Sequence, residues 1–174
     1  LTVPIKSKGK FLQKINEVMI DESINWRNDH LKTLELAYKK TTYFEEIYNI
    51  FNSVYEKKDE HLSSLNVSLI KTIMNYLNID KEILFSSKLN TTGNKDEKLI
   101  SILKKIGASK YLSPEGSKIY IGDGEIFLNN KIDISFFKYD HPTYNQGNSQ
   151  GFVKNLSIID ALFNLGKGSL KLID

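Results

Sequence analysis

Apolar and polar positions alternate over Leu1-Thr2-Val3-Pro4-Ile5-Lys6 in the manner of a strand, with no methionine and no turn before it. The run reads as the middle of a strand, so an N-terminal segment preceding it is expected to be missing from this chain. Ser7-Lys8-Gly9-Lys10 supplies turn residues, and Phe11 to Asp21 ends in a second apolar run, Val18-Met19-Ile20. The first twenty residues are therefore expected to form a strand pair, with Lys6, Lys8, Lys10 and Lys14 decorating its tip.

Beyond Asn25, placed to cap a helix, the period changes. Trp26, His30, Leu34 and Tyr38 recur every fourth position and share one stripe with Ala37, which puts His30 on the buried side. Tyr43 to Tyr55 predicts a second helix with Phe44, Ile47, Tyr48, Phe51 and Tyr55 inward, and Glu56 to Glu60 is a charged connection. Leu62 through Leu77 predicts a third helix. Its two apolar faces, Leu62-Leu65-Leu69-Ile73-Leu77 and Val67-Ile70-Met74, suggest a central helix packed on both sides.

After Asn78 short apolar runs alternate with a helical pattern, the signature of strand–helix–strand units and a parallel sheet. Strands are expected at Ile83-Leu84-Phe85-Ser86, Lys110-Tyr111-Leu112-Ser113 and Ile132 to Phe137. A helix starting at Lys95 carries Leu99, Ile102, Leu103 and Ile106 and stops at Gly107. Ser157 with Asp160 three residues on resembles a capping box for a last helix, ended by Gly166. The fold class is α/β: a mostly parallel sheet with flanking helices, a helical segment over about 26–77, and an N-terminal strand pair.

Composition narrows this to one compact domain spanning 1–174: 40% of the 174 residues are hydrophobic, 26% are charged and three are proline. The absence of cysteine removes disulfides, thiolate metal sites and cysteine nucleophiles. No apolar run approaches the roughly 18 residues of a membrane span and no signal peptide opens the chain, so a cytoplasmic protein is expected. A net charge of +3, spread along the chain, argues against nucleic acid as a partner. All 24 basic residues except Arg27 are lysine, a usage suggestive of an AT-rich bacterial genome. Against that background Arg27 marks a position where a planar, forked donor could be wanted for a carboxylate or phosphate, or where arginine occurs by chance.

In open parallel sheets ligands bind beyond the carboxyl ends of the strands, near helix N-termini. Three small-polar loops could gather there. The first, 86–95, carries Thr91, Thr92, Gly93 and Lys95. The second, 113–118, carries Ser113, Gly116 and Ser117, and the third, 140–146, carries His141, Tyr144 and Gln146. They would suit a phosphorylated or sugar-like small molecule, although neither a GxGxxG nor a GxxxxGK[ST] pattern is present and turns use the same residues for backbone reasons. His141, in a polar loop beside Pro142, and His30 are the candidate proton acceptors; His61 reads as a surface residue. None of the three has metal-ligand spacing, so no metal site is expected, and no cofactor can be read from the sequence.

Several segments in order carry a family resemblance. Leu1 to Ile5, Trp26-Arg27-Asn28-Asp29-His30-Leu31-Lys32-Thr33, Tyr43-Phe44-Glu45-Glu46, Thr92-Gly93-Asn94-Lys95-Asp96-Glu97-Lys98-Leu99, Gly107 to Ser113, His141-Pro142-Thr143-Tyr144-Asn145-Gln146 and Asn155 to Asp160 together resemble the WbqC-like family across essentially the whole chain. The resemblance implies a bacterial protein associated with surface-polysaccharide (O-antigen) and modified-sugar biosynthesis, and a transferase acting on a nucleotide- or sugar-linked substrate; it carries over no catalytic residue. Family members open with about fifty further residues, a strand followed by a Gln-Pro and Tyr-Phe-Pro segment leading into a helix, of the kind that can hold phosphate. Lys154 stands where the family pattern has proline. By analogy with nucleotidyltransferases the sheet would be Rossmann-like, with Gly93 and Lys95 meeting phosphate and His141 or His30 taking a proton during acyl or aminoacyl transfer to an amino sugar. The alternatives are a non-enzymatic binding or assembly partner in the same pathway, or a truncated pseudo-enzyme.

Overall fold

A computed structural model describes residues 1–147 and 151–173. The chain divides into two compact units, Leu1–Lys81 with His141–Asp174, and Glu82–Asp140. Among the described residues it is a mixed protein of seven α-helices and one two-stranded parallel sheet.

In the first unit Val18 to Asp21 lies between two other segments. Lys6 donates its N–H to the Met19 carbonyl (2.9 Å) and Asp21 to that of Pro4 (2.9 Å) on one side, while Ile20 bonds Glu60 (2.8 Å) and Leu62 bonds Val18 (2.9 Å) on the other. The expected strand pair is thus a single antiparallel bridge, Ile5 with Ile20, and a second bridge joins Met19 to His61. Residues 7–17 form turns and one 3-10 turn, Ile15–Glu17, rather than extended ladder.

Helices α1 (Trp26–Tyr38), α2 (Phe44–Glu56) and α3 (Leu62–Tyr76) follow as the periodicity predicts. Asn25 occupies the cap position of α1, but its side chain makes no capping bond. α2 buries four residues, Ile47, Phe51, Val54 and Tyr55, and packs against α1 and α3. α3 buries only Leu65 fully; it packs against α2 and the Ile15–Glu17 turn, and on its second face Val67 and Met74 are half-buried while Ile70 is 50% exposed, so the more deeply buried helix is α2. α7 (Ile158–Leu165) closes this core: Phe163 is fully buried, and Tyr38 stacks on it at 4.4 Å. Burying a side chain such as Phe163 stabilises the fold by roughly 1.5–3 kcal/mol.

The second unit holds α4 (Lys95–Lys105), strand β1 (Lys110–Pro114), two short helices α5 (Lys118–Ile121) and α6 (Glu125–Asn129), and strand β2 (Asp133–Phe137). β1 and β2 pair in parallel, Lys110 opposite Asp133 through Pro114 opposite Phe137, with α5 and α6 in the connection. The core here is Ile100, Leu103, Phe127 and Ile132. Ile106, expected inward, is 42% exposed, and Ile100 takes its place. The strand expected at Ile83–Ser86 does not form. Ile83 and Phe85 are half-buried and Leu84 exposed, as in a strand, yet the chain turns into a 3-10 turn at Ser86–Lys88 with no ladder partner. Alternation alone cannot satisfy the backbone donors and acceptors that a neighbouring strand must meet. Gly124 (φ +79°) is dictated by packing, because a Cβ there would collide with Ile134.

Candidate functional site

α7 positions most of the polar side chains that meet in the first unit. The Ser157 hydroxyl caps it, accepting from the Ile159 N–H at 3.4 Å. The partner expected in a capping box, Asp160, turns away. Its buried carboxylate accepts from the Tyr144 hydroxyl at 2.7 Å and from Gln146 Nε2 at 3.1 Å. Burial first, and then the Asp160 charge, raise the Tyr38 phenol well above its ordinary range, so it stays a donor. Gln146 further exchanges two bonds with the Val153 backbone, donating to its carbonyl (2.9 Å) and accepting from its N–H (2.8 Å). Residues 144–146 are therefore fastened to α7 side by side.

The held segment forms one wall of a cleft of about 480 Å³. Asn145, Gln146 and Gly147 face the α1–α2 turn, Lys39-Lys40-Thr41-Thr42, with Asn164 between them. That turn is fixed from below: Tyr43 donates its N–H to the Phe163 carbonyl at 3.3 Å, and the Thr41 hydroxyl bonds the Tyr38 carbonyl at 2.8 Å. Gly166, at φ +55°, ends α7 against Tyr43, where a Cβ would sit 2.5 Å from the ring. Among the described residues the lining carries two lysines, two hydroxyls and three side-chain amides, and no carboxylate.

His141 lies at the start of the same segment. Its ring packs against Tyr144 (6.1 Å between centroids) and Phe152 (5.6 Å). Nδ1 is 3.0 Å from the Pro142 carbonyl. A carbonyl only accepts, so Nδ1 is the donor in this bond.

His30 is buried. Nε2 donates to the Thr2 carbonyl at 3.0 Å and Nδ1 accepts from the Tyr55 hydroxyl at 3.1 Å, while Trp26 meets the ring edge-on. Burial, the largest effect, holds its pKa below the ordinary histidine value. Arg27 pairs with Glu22, donates to the Asp59 carbonyl at 3.0 Å and lies 4.4 Å over the Trp26 ring. It lines a larger cavity of about 730 Å³ with Glu22, Asn28, Tyr55, Glu56 and Glu60, among others. The lining sets three carboxylates against Arg27 and Lys58, and Glu22 and the Asp59 carbonyl take up Nη1 and Nη2 of the guanidinium while its buried Nε has no hydrogen-bond partner.

The other predicted residues belong to the second unit. Lys98 reaches the Thr91 carbonyl, and a Cβ on Gly93 (φ +92°) would lie 2.8 Å from the Glu97 side chain, so the loop closes tightly over the start of α4, where Thr92 and Lys95 also lie. The Thr91 hydroxyl oxygen is buried without a hydrogen-bond partner. Ser113, fully buried, meets Ser117 at 2.7 Å, and Ser117 donates to the Pro114 carbonyl at 2.7 Å; with Gly116 they form the turn after β1. These serines satisfy each other and the local backbone.

Of the site residues predicted from sequence, Tyr144, Gln146 and His141 come together, but of these Gln146 lines the cleft while His141 and Tyr144 lie behind its wall-forming segment, outside the lining. Lys39, Lys40, Thr41, Thr42, Asn164 and the organising role of Asp160 were not foreseen. Among the described residues no three His, Asp or Glu side chains gather as around a metal ion, and no helix is long and apolar enough to cross a membrane.

The fold and this cleft describe a mixed α/β protein with a carboxylate-free, amide- and lysine-lined recess. Residues 1–172 match the WbqC-like protein family, and the chain belongs to it. It is 32% identical over 167 residues to Uncharacterized protein Rv1507c of Mycobacterium tuberculosis (strain ATCC 25618 / H37Rv), an alignment covering 95% of this chain and 71% of that protein. No solved structure matches it.

Proposed function

We propose that the chain is a transferase of surface-polysaccharide biosynthesis that binds a nucleotide-linked sugar in the cleft between Lys39–Thr42 and Asn145–Gly147. The observation that carries this reading is the cleft's lining: Lys39 and Lys40 offer charge to a diphosphate, and Thr41, Thr42, Asn145, Gln146 and Asn164 offer the mixed donors and acceptors that sugar hydroxyls need. About 480 Å³ lies within the usual range of roughly 300–1,000 Å³ for small-molecule sites. The acceptor amine of an amino sugar attacks the carbonyl of an activated acyl or aminoacyl donor. The new C–N bond forms, the bond to the donor's carrier breaks with its electron pair leaving on the carrier, and His141 Nε2 takes the N–H proton. His30, Arg27, Thr91, Thr92, Gly93, Lys95, Ser113, Gly116 and Ser117 are not needed in this scheme.

A thermal-shift panel tests the reading. Nucleotide-sugars should raise the melting temperature in a dose-dependent way, by an amount that follows ligand concentration over Kd, whereas ATP, coenzyme A and free amino acids test donor classes. A response to none of them, with stabilisation only by another protein, would favour an assembly partner instead.

A further inference from the structure

We propose that the tip formed by residues 7–17 docks onto an anionic phospholipid surface. It stands on the Ile5–Ile20 bridge and folds back through two turns, Lys10 N–H to the Ser7 carbonyl (3.0 Å) and Gln13 N–H to the Lys10 carbonyl (3.3 Å), with Gly9 at φ +73°. At its end Phe11 is 99% exposed, Leu12 92% and Ile15 79%. Single exposed apolar residues are ordinary; three within five positions, turned almost wholly outward, are not.

Over residues 1–16 every charged side chain is a lysine. Lys6, Lys8, Lys10 and Lys14 are all exposed, and no carboxylate occurs before Glu17. Glu17 itself bonds the Lys14 backbone N–H at 3.0 Å, tying off the 3-10 turn. A lysine collar around a protruding aromatic and aliphatic cluster matches a bilayer interface: the apolar side chains enter the headgroup boundary while the ammonium groups meet lipid phosphates, each lysine worth roughly fivefold in partitioning near such a surface. The 3-10 turn rests against α3 while Phe11, Leu12 and Ile15 stay turned to solvent, and a deformable medium accepts such side chains without a complementary groove. This docking is independent of the sugar-binding reading.

Sedimentation of the whole protein with vesicles tests it. Vesicles of phosphatidylcholine mixed equally with phosphatidylglycerol should bind at least tenfold more protein than pure phosphatidylcholine, and salt at about 0.5 M should remove most of that binding. The Phe11→Ser/Leu12→Ser variant, altered only at exposed side chains, should keep the wild-type melting temperature and lose binding about tenfold. Phe11→Trp should show a blue-shifted emission with the anionic vesicles, against the constant background of buried Trp26. Equal binding to both vesicle types, no binding to either, full binding by the double variant, no emission shift, or complete competition by soluble glycerol phosphate would each overturn the proposal.

Discussion

The Tyr144 hydroxyl donates to Asp160 Oδ2 at 2.7 Å, and that bond, with the one from Gln146 to the same oxygen, ties the wall of the cleft to α7. Removing the acceptor strands the donors it serves. Asp160→Ala should lower stability by about 2–4 kcal/mol, and Asp160→Asn, which keeps one carbonyl oxygen, by about half as much. Urea unfolding midpoints at constant slope measure both; equal, negligible effects would mean the carboxylate does not organise the segment.

His30 predicts a pH dependence. Its folded pKa lies below the unfolded value, so between the two the unfolded chain binds more protons and stability rises with pH. The contribution is complete above about pH 6.5 and is lost as pH falls toward the folded pKa, with a slope of at most about 1.4 kcal/mol per pH unit. His30→Gln should be less stable at neutral pH and lose this slope; an unchanged slope between pH 5 and about 7 would assign it to other groups.

At Gly166 two costs combine. Gly166→Ala imposes a left-handed φ and drives a Cβ into Tyr43, whereas Gly107→Ala, at φ +69° with nothing within 4 Å, carries the backbone strain alone. The first should cost about 2–4 kcal/mol and the second about 1 kcal/mol. Thermal unfolding of the pair isolates the contact between the end of α7 and the start of α2, and equal costs would show that Tyr43 moves aside freely.

His141→Ala should fold as the wild type does and lose about 100-fold or more in turnover with an amino-sugar acceptor. Unchanged turnover would remove His141 from the mechanism.

Much of this architecture is legible in the sequence because helix periodicity is local. The inward Trp26, His30 and Leu34 of α1, though not Ala37, which is exposed, the stripe of α2 and the Ser157 cap of α7 can be read directly, as can the parallel strands at Lys110–Pro114 and Asp133–Phe137. The failures share a cause: they depend on partners distant in the chain. Ile83–Phe85 alternates correctly but among the described residues has no edge to join, and on the second face of α3 only Val67 and Met74 are partly covered while Ile70 stays exposed. Asp160 has cap spacing, yet Tyr144 and Gln146 offer it more bonds than one backbone N–H could. Lys39–Thr42 looks like an ordinary turn until α7 brings Asn164 and residues 145–147 opposite it.

The cleft's lysines test the account most directly. Isothermal titration of a nucleotide-sugar that stabilises the wild type should show at least a tenfold weaker Kd for Lys39→Ala/Lys40→Ala, two exposed positions whose loss leaves the melting temperature unchanged. An unaltered Kd in that folded variant would contradict the assignment of the cleft.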